Sequence, residues 1–172
     1  MTLGYSLLAS LVQPQVFLLT GLTKSPSSNG GGLAGHFFSR DSEQYLAGLT
    51  SMWVRVNGRD LWRNGIETEL YRGDYTFSFS GGLQNGIGRS TGYGNVEAGY
   101  YSTDDLFFSI GFGGHSSYRS AFTGAEWRPF TDNAVSAFSN FGAGNIGGGF
   151  AIVGMRYSLG AGPISLKKQH RE

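Results

Sequence analysis

The sequence predicts an all-β protein: an eight-stranded antiparallel up-and-down transmembrane β-barrel with a loosely structured N-terminal segment. Three observations carry this. The chain holds 29 Gly and is 15% aromatic but only 15% charged. From Tyr45 onward its dominant period is two, the period of a strand. One of the two faces so defined carries no formal charge.

At 172 residues the chain suits one domain of ordinary size. Thirteen basic against 12 acidic residues give a net charge of +1, without the basic surplus of a nucleic-acid binder. The aromatic content argues against disorder. So many glycines argue against a helical bundle, because each costs about 1 kcal/mol in a helix interior. There is no Cys, which excludes disulfides, thiol catalysis and Cys-ligated zinc.

Residues 1–44 read as an N-terminal apolar segment followed by a linker. Leu7–Val12 and Val16–Leu19 are apolar, but Gln13-Pro14-Gln15 interrupts them and the first basic residue, Lys24, comes after them. The readings are a degenerate export signal, a packed or loosely attached segment, or a spanning helix kinked at Pro14. Ser25 to Gly35 has the Gly/Ser composition of a flexible linker.

Eight strands are predicted over 45–56, 62–71, 74–83, 93–102, 106–113, 120–130, 134–142 and 149–159. Most suit a transmembrane β-strand, which needs about 9–11 residues, better than the shorter strand usual in globular proteins. The apolar face reads Met52, Val54, Val56; Ile66, Thr68, Leu70; Tyr75, Phe77, Phe79; and Val96, Ala98, Tyr100. It continues with Leu106, Phe108, Ile110, Phe112; Ala121, Thr123, Ala125, Trp127; and Ala151, Val153, Met155, Tyr157, Leu159. The other face carries Arg55, Glu67, Glu69, Glu97, Glu126, Arg128 and Arg156, spaced by Gly and Ser. Small side chains with balanced acids and arginines suit a narrow lumen. The uncharged face then meets lipid, where Lys or Arg at mid-depth costs about 2–4 kcal/mol. Tyr75, Tyr100, Trp127, Phe130 and Tyr157 fall near strand ends, where interfacial girdles belong.

The connections are expected to alternate. Arg72-Gly73, Thr103-Asp104-Asp105 and Thr131-Asp132-Asn133 read as short turns. Asn57–Leu61, Leu83–Gly92, Gly114–Arg119 and Gly142–Gly148 read as longer outer loops. The Thr-Asp-Asp/Asn turn recurs after 28 residues, as in an up-and-down barrel built from hairpins.

The segment Ala125-Glu126-Trp127-Arg128-Pro129-Phe130-Thr131-Asp132-Asn133, with the strand Ala151 to Gly160, carries a family likeness. It resembles the last strands of small porin-like outer-membrane β-barrel proteins of Gram-negative bacteria, whose final strand reads apolar-Gly-apolar-Arg-aromatic before a short basic tail. The likeness covers about residues 93–172 and is one of pattern. It departs from the family in running on past Tyr157-Ser158-Leu159 rather than closing on an aromatic residue. Residues 160–172 form a basic C-terminal tail, with Lys167, Lys168 and Arg171 expected to be solvated.

No residue pattern specifies chemistry, so no catalytic, cofactor-binding or metal residue is expected and the chain does not read as an enzyme. The Gly clusters at 81–82, 86–88 and 111–114 lack a following Gly-Lys-Ser/Thr. His36, His115 and His170 lack ligand spacing. His115 and Ser117 with Glu126 have the residue types of an acyl-transfer trio, but Glu126 lies too far down its strand to reach them. The Glu67/Glu69/Glu97/Glu126 and Arg55/Arg128/Arg156 set reads as an ion-pair network inside the lumen.

The expected role is that of a bacterial outer-membrane barrel with a filled lumen and no cofactor, structural or surface-interacting through its outer loops. Its partners would be outer-membrane lipid and a surface ligand, not nucleic acid. The alternatives are a soluble β-barrel or sandwich with Phe77, Phe79, Phe108, Ile110 and Phe112 inside, as an apolar-ligand carrier or virion protein, and an outer-membrane hydrolase acting on lipid.

Overall fold

The computed structural model describes residues 13–22, 29–56, 58–86, 90–130, 135–146, 148–157 and 164–171. Among them are ten strands: β1 (Gln13–Leu22), β2 (Asn29–Asp41), β3 (Tyr45–Val56), β4 (Arg59–Arg72), β5 (Tyr75–Asn85), β6 (Thr91–Thr103), β7 (Leu106–His115), β8 (Tyr118–Trp127), β9 (Val135–Gly144) and β10 (Gly149–Tyr157). A short helix, α1 (Leu166–Arg171), follows. The strands form one antiparallel sheet in chain order, each paired with the next. This is the up-and-down meander expected, with all eight predicted strands present as β3 to β10.

The strand number is corrected from eight to ten. The N-terminal stretch is not loosely structured where it is described, because Gln13–Leu22 pairs along its length with Asn29 to Phe38. The linker composition misled for a physical reason. At Gly32 a Cβ would come 2.9 Å from Val54 Cγ2 and closer still to the Trp53 carbonyl, so glycine there permits close strand approach. Among the described residues no ladder joins β10 back to β1, and the sheet is not closed into a barrel.

The links depart from the expected alternation. The β3–β4 and β7–β8 links, expected to be longer loops, are tight turns of two residues. Gly58 takes a φ of 76° in the first and Ser116 a φ of 51° in the second, the left-handed geometry that tight hairpins require. The β5–β6 and β9–β10 links are longer, at 86–90 and 145–148. On the opposite end, Gly73 with a φ of 60° closes β4 to β5. Thr131-Asp132-Asn133 lies outside the described residues.

Register fixes the faces. From β4 to β10 the apolar face is as expected: Ile66, Thr68 and Leu70 sit on the row with Phe79 and Phe77, then Val96 and Ala98, then Phe112 and Ile110. In β3 it is inverted. Trp53 pairs with Trp62 and Leu49 with Ile66, whereas Met52 pairs with Arg63 and Gly48 with Glu67. Met52 and Val54 therefore lie on the charged side, and Arg55 lies on the apolar side. Both faces of β3 are apolar in sequence, so period alone does not orient it; pairing with β4 does.

The charged face is concave. The neighbouring residues His170 and Arg171 of α1 reach Arg156 on β10 and the Tyr71 ring on β4 respectively. In a flat sheet those strands would lie about 29 Å apart, at about 4.8 Å per step. The sheet curls around the helix. Of the tail cations expected to be solvated, Lys168 is exposed and Lys167 half-buried, but Arg171 is buried, and Leu166 beside them is fully buried.

Candidate functional site

Two surfaces carry the protein's chemistry, one on each side of the sheet. The convex side is a continuous apolar belt from β2 to β10, with Leu33, Phe37, Leu49, Ile66, Phe77 and Ile110 among its exposed side chains. Phe77 is 48%, Phe108 45%, Ile110 56% and Val153 76% exposed. The five side chains that a soluble fold would bury, Phe77, Phe79, Phe108, Ile110 and Phe112, all stand outward. On β4 the belt runs from Trp62 to Leu70, about 26 Å along the strand at about 3.3 Å per residue. Aromatic and polar groups bound it. At one end Trp53 and Trp62 lie 6.3 Å apart, and Trp53 Nε1 donates to Asp60 at 3.1 Å. Asp60 also pairs with Arg55 at 3.2 Å. At the other end Tyr75 and Tyr100 sit 5.1 Å apart, and Trp127 and Phe130 are exposed.

The concave side is polar and glycine-rich, but it also carries phenylalanines that the alternation did not single out. Their rings lie over glycines of a neighbouring strand. A Cβ at Gly154 would come 2.7 Å from Phe138 Cζ, and at Gly99, Gly111 and Gly142 it would collide with Phe107, Phe122 and Phe150. These glycines are needed because the ring occupies the space a side chain would take.

The seven charges expected to form one lumen network divide into separate contacts. Glu126 and Arg156 pair at 2.7 Å, across the intervening β9. Between them Ser136, almost fully buried, donates to Glu126 Oε1 at 2.5 Å. His170 Nε2 lies 3.4 Å from the same carboxylate, and its Nδ1 lies 2.8 Å from the Tyr101 hydroxyl. Glu67 pairs instead with His36 at 2.7 Å, reaching over Gly48. Glu69 accepts a hydrogen bond from the Tyr71 hydroxyl at 2.8 Å. Arg128 is buried against Asp105 at 3.0 Å. Glu97 is half-buried opposite Ser78 and Gly111, and Arg55 is on the other face altogether.

Helix α1 completes this face. Arg171 donates to the carbonyls of Gly73 at 3.0 Å and Tyr75 at 2.9 Å. Its guanidinium lies 4.7 Å from the Tyr71 ring centre and 5.3 Å from that of Tyr101. Lys167 Nζ bonds Asp74 at 2.7 Å, and the Leu166 amide donates to Asp105 at 2.9 Å. Asp74 lies in the β4–β5 turn, and the Lys167 ammonium holds its carboxyl below the usual carboxylate range. No periodic signal could have revealed α1, a six-residue helix whose sole large apolar residue is Leu166.

Among the described residues the His115, Ser117 and Glu126 trio does not assemble. Ser117 lies in the β7–β8 turn and Glu126 near the far end of β8, about 30 Å apart by strand rise. Ser136 gives its proton to Glu126 and not to His170, the wrong order for a base-activated serine. Among the described residues no three His, Asp or Glu cluster as a metal site would require. The depression at the β7–β8 turn end of β6 to β8 straddles the sheet. Val96, Phe112 and Ala121 belong to one face and Tyr93, His115 and Tyr118 to the other.

No family model matches the chain, and no curated protein matches it. A solved structure described as "Unveiling the Mechanism Behind the in-meso Crystallization of Membrane Proteins" is similar, with a TM-score of 0.50 at 10% identity. The match covers 94% of each chain. At that identity the likeness is one of fold.

Proposed function

We propose that the chain is an integral β-barrel of a bacterial outer membrane, with a structural or surface-interaction role and no enzymatic activity. The observation that carries this is the convex apolar belt. It spans nine neighbouring strands and, among the described residues, is free of charge between its polar ends and uncovered. At the strand tilt of membrane barrels, about 35–45°, its length along the strand gives an apolar height of about 19–22 Å, close to but below their roughly 25 Å band. The description of the structural neighbour, which concerns membrane proteins, agrees with this reading.

In hydrocarbon, unpaired strand edges cost several kcal/mol per polar group, so only a closed sheet persists. In the membrane the β1 and β10 edges therefore meet, giving ten strands rather than eight. Both free ends of a ten-strand meander leave on the α1 side; in this reading that end faces the periplasm and the tight β3–β4 and β7–β8 turns face outside.

The deciding experiment is fractionation of the expressed chain with heated and unheated gel migration. Recovery in the membrane fraction, release only by detergent and heat-modifiable migration are expected. A folded protein in the aqueous phase without detergent would overturn the assignment.

A further inference from the structure

We infer that the protein pairs with a second copy of itself inside the membrane, through a convex patch centred on Asn64 and Ser51. This rests on the barrel reading above and goes beyond it, because it names a partner and the side chains that recognise it.

Among the described residues the apolar belt carries one amide side chain between its polar ends, that of Asn64 on β4. Register sets it opposite Ser51 on β3, whose hydroxyl donates to Asn64 Oδ1 at 2.7 Å. Both residues are exposed. They lie between two apolar pairs, Trp53–Trp62 and Leu49–Ile66. The tryptophans mark one bounding end of the belt. Asn64 lies two residues inside that end, about 6–7 Å along the strand and about 5 Å deeper at the tilt of a membrane barrel.

Two threonines on the same face are satisfied by the sheet itself. Thr68 donates to the Leu46 carbonyl at 2.9 Å and Thr123 to that of Ser109 at 2.8 Å. Asn64 has no such outlet. A carboxamide carries two N–H donors, and among the described residues neither meets an acceptor. Hydrocarbon offers none, and an unsatisfied amide is costly there. A second copy supplies one. Asn64 Oδ1 and the Ser51 hydroxyl keep unused lone pairs, so the patch holds donors and acceptors together and is complementary to itself. Across a two-fold axis each copy's Asn64 Nδ2 meets the other's Asn64 or Ser51 oxygen. Leu49, Trp62 and Ile66, each about half exposed, then close around the bonds.

Sedimentation equilibrium in density-matched zwitterionic micelles tests this on the full chain and Asn64→Leu, with heat-modifiable migration reporting whether each barrel has formed. A dimer is expected. Its dissociation constant should rise about tenfold in Asn64→Leu, because two symmetric side-chain bonds inside a membrane are together worth about that factor. A second measurement exploits the absence of Cys from the chain. Under oxidation in phosphatidylcholine vesicles, Ile66→Cys, two residues from Asn64, should cross-link into a dimer. Ile110→Cys, similarly exposed but on β7, should not. A heat-modifiable monomer, an unchanged or lower constant in Asn64→Leu, or equal cross-linking at the two positions would overturn the pairing and leave the barrel standing. A full chain that never inserts would overturn both. If Asn64→Leu alone fails to fold, the cross-linking decides.

Discussion

Arg156 on β10 reaches over β9 to place Nη1 2.7 Å from Oε2 of Glu126 on β8. The partners are unequal: Glu126 is 7% exposed and Arg156 50%. Removing the exposed partner strands a buried carboxylate, whereas neutralising the carboxylate leaves an arginine that water can reach. Arg156→Ala should therefore destabilise by about 2–3 kcal/mol, and Glu126→Gln, which can keep the Ser136 bond, by about 1 kcal/mol. Urea unfolding in detergent micelles checks the order, and a larger loss for Glu126→Gln would refute it.

The ring-over-glycine pairs predict a contrast between two glycines. Gly154→Val pushes the Phe138 ring off its seat and should cost about 1–3 kcal/mol. At Gly35 a Cβ meets nothing within 4 Å, so Gly35→Val should stay within about 0.5 kcal/mol of the parent. Equal unfolding midpoints for the two variants would contradict the packing described.

Ile110 stands in the middle of β7 on the convex belt. If that belt meets hydrocarbon, Ile110→Lys should cost about 2–4 kcal/mol in vesicles. Leu106→Lys, at the end of the same strand, should cost about 0–1 kcal/mol. Refolding yields into lipid vesicles measure both; indifference to lysine at position 110 would mean that the belt does not face lipid.

Asp74 gives the α1 seat a pH dependence. Its carboxyl is held below its ordinary value by Lys167. The Lys167 contact therefore adds its full stabilisation above the unfolded-state value near 3.8 and loses it as pH falls through the lowered folded value. The pair is exposed, so the effect is modest. Amide exchange of residues 165–171, corrected for intrinsic rates, should rise below about pH 4. In Asp74→Asn it should be already raised and insensitive to pH over that window. A parallel response in the two proteins would separate Asp74 from the docking of α1.

Much of this fold was legible because a strand that is wet on one side and apolar on the other writes its period plainly. Tyr45 to Val56 was bounded to the residue, and β4 to β10 fell within a few positions of their predicted ends. Where both sides are apolar, as with Leu46, Met52 and Val54 against Leu49 and Trp53, the period locates the strand without orienting it. Where closeness to a neighbour demands glycine, as at Gly32, the strand takes on the composition of a linker. The polar contacts were the least legible. Glu126 and Arg156 were recognised as facing the same way, but Ser136, Tyr101 and His170 join them only through the curl of the sheet. A curl has no sequence period.

The hairpin turn at Ser116-Ser117 is not an independent finger. Asn145, from the β9–β10 link, donates its side-chain amide to the Ser117 carbonyl at 2.8 Å and accepts from the Arg119 amide at 2.7 Å. Its own amide returns to the Arg119 carbonyl at 2.9 Å. Two links are thereby spliced into one ledge, so anything that grips this end of the sheet meets a single preshaped surface whose two halves cannot be varied separately.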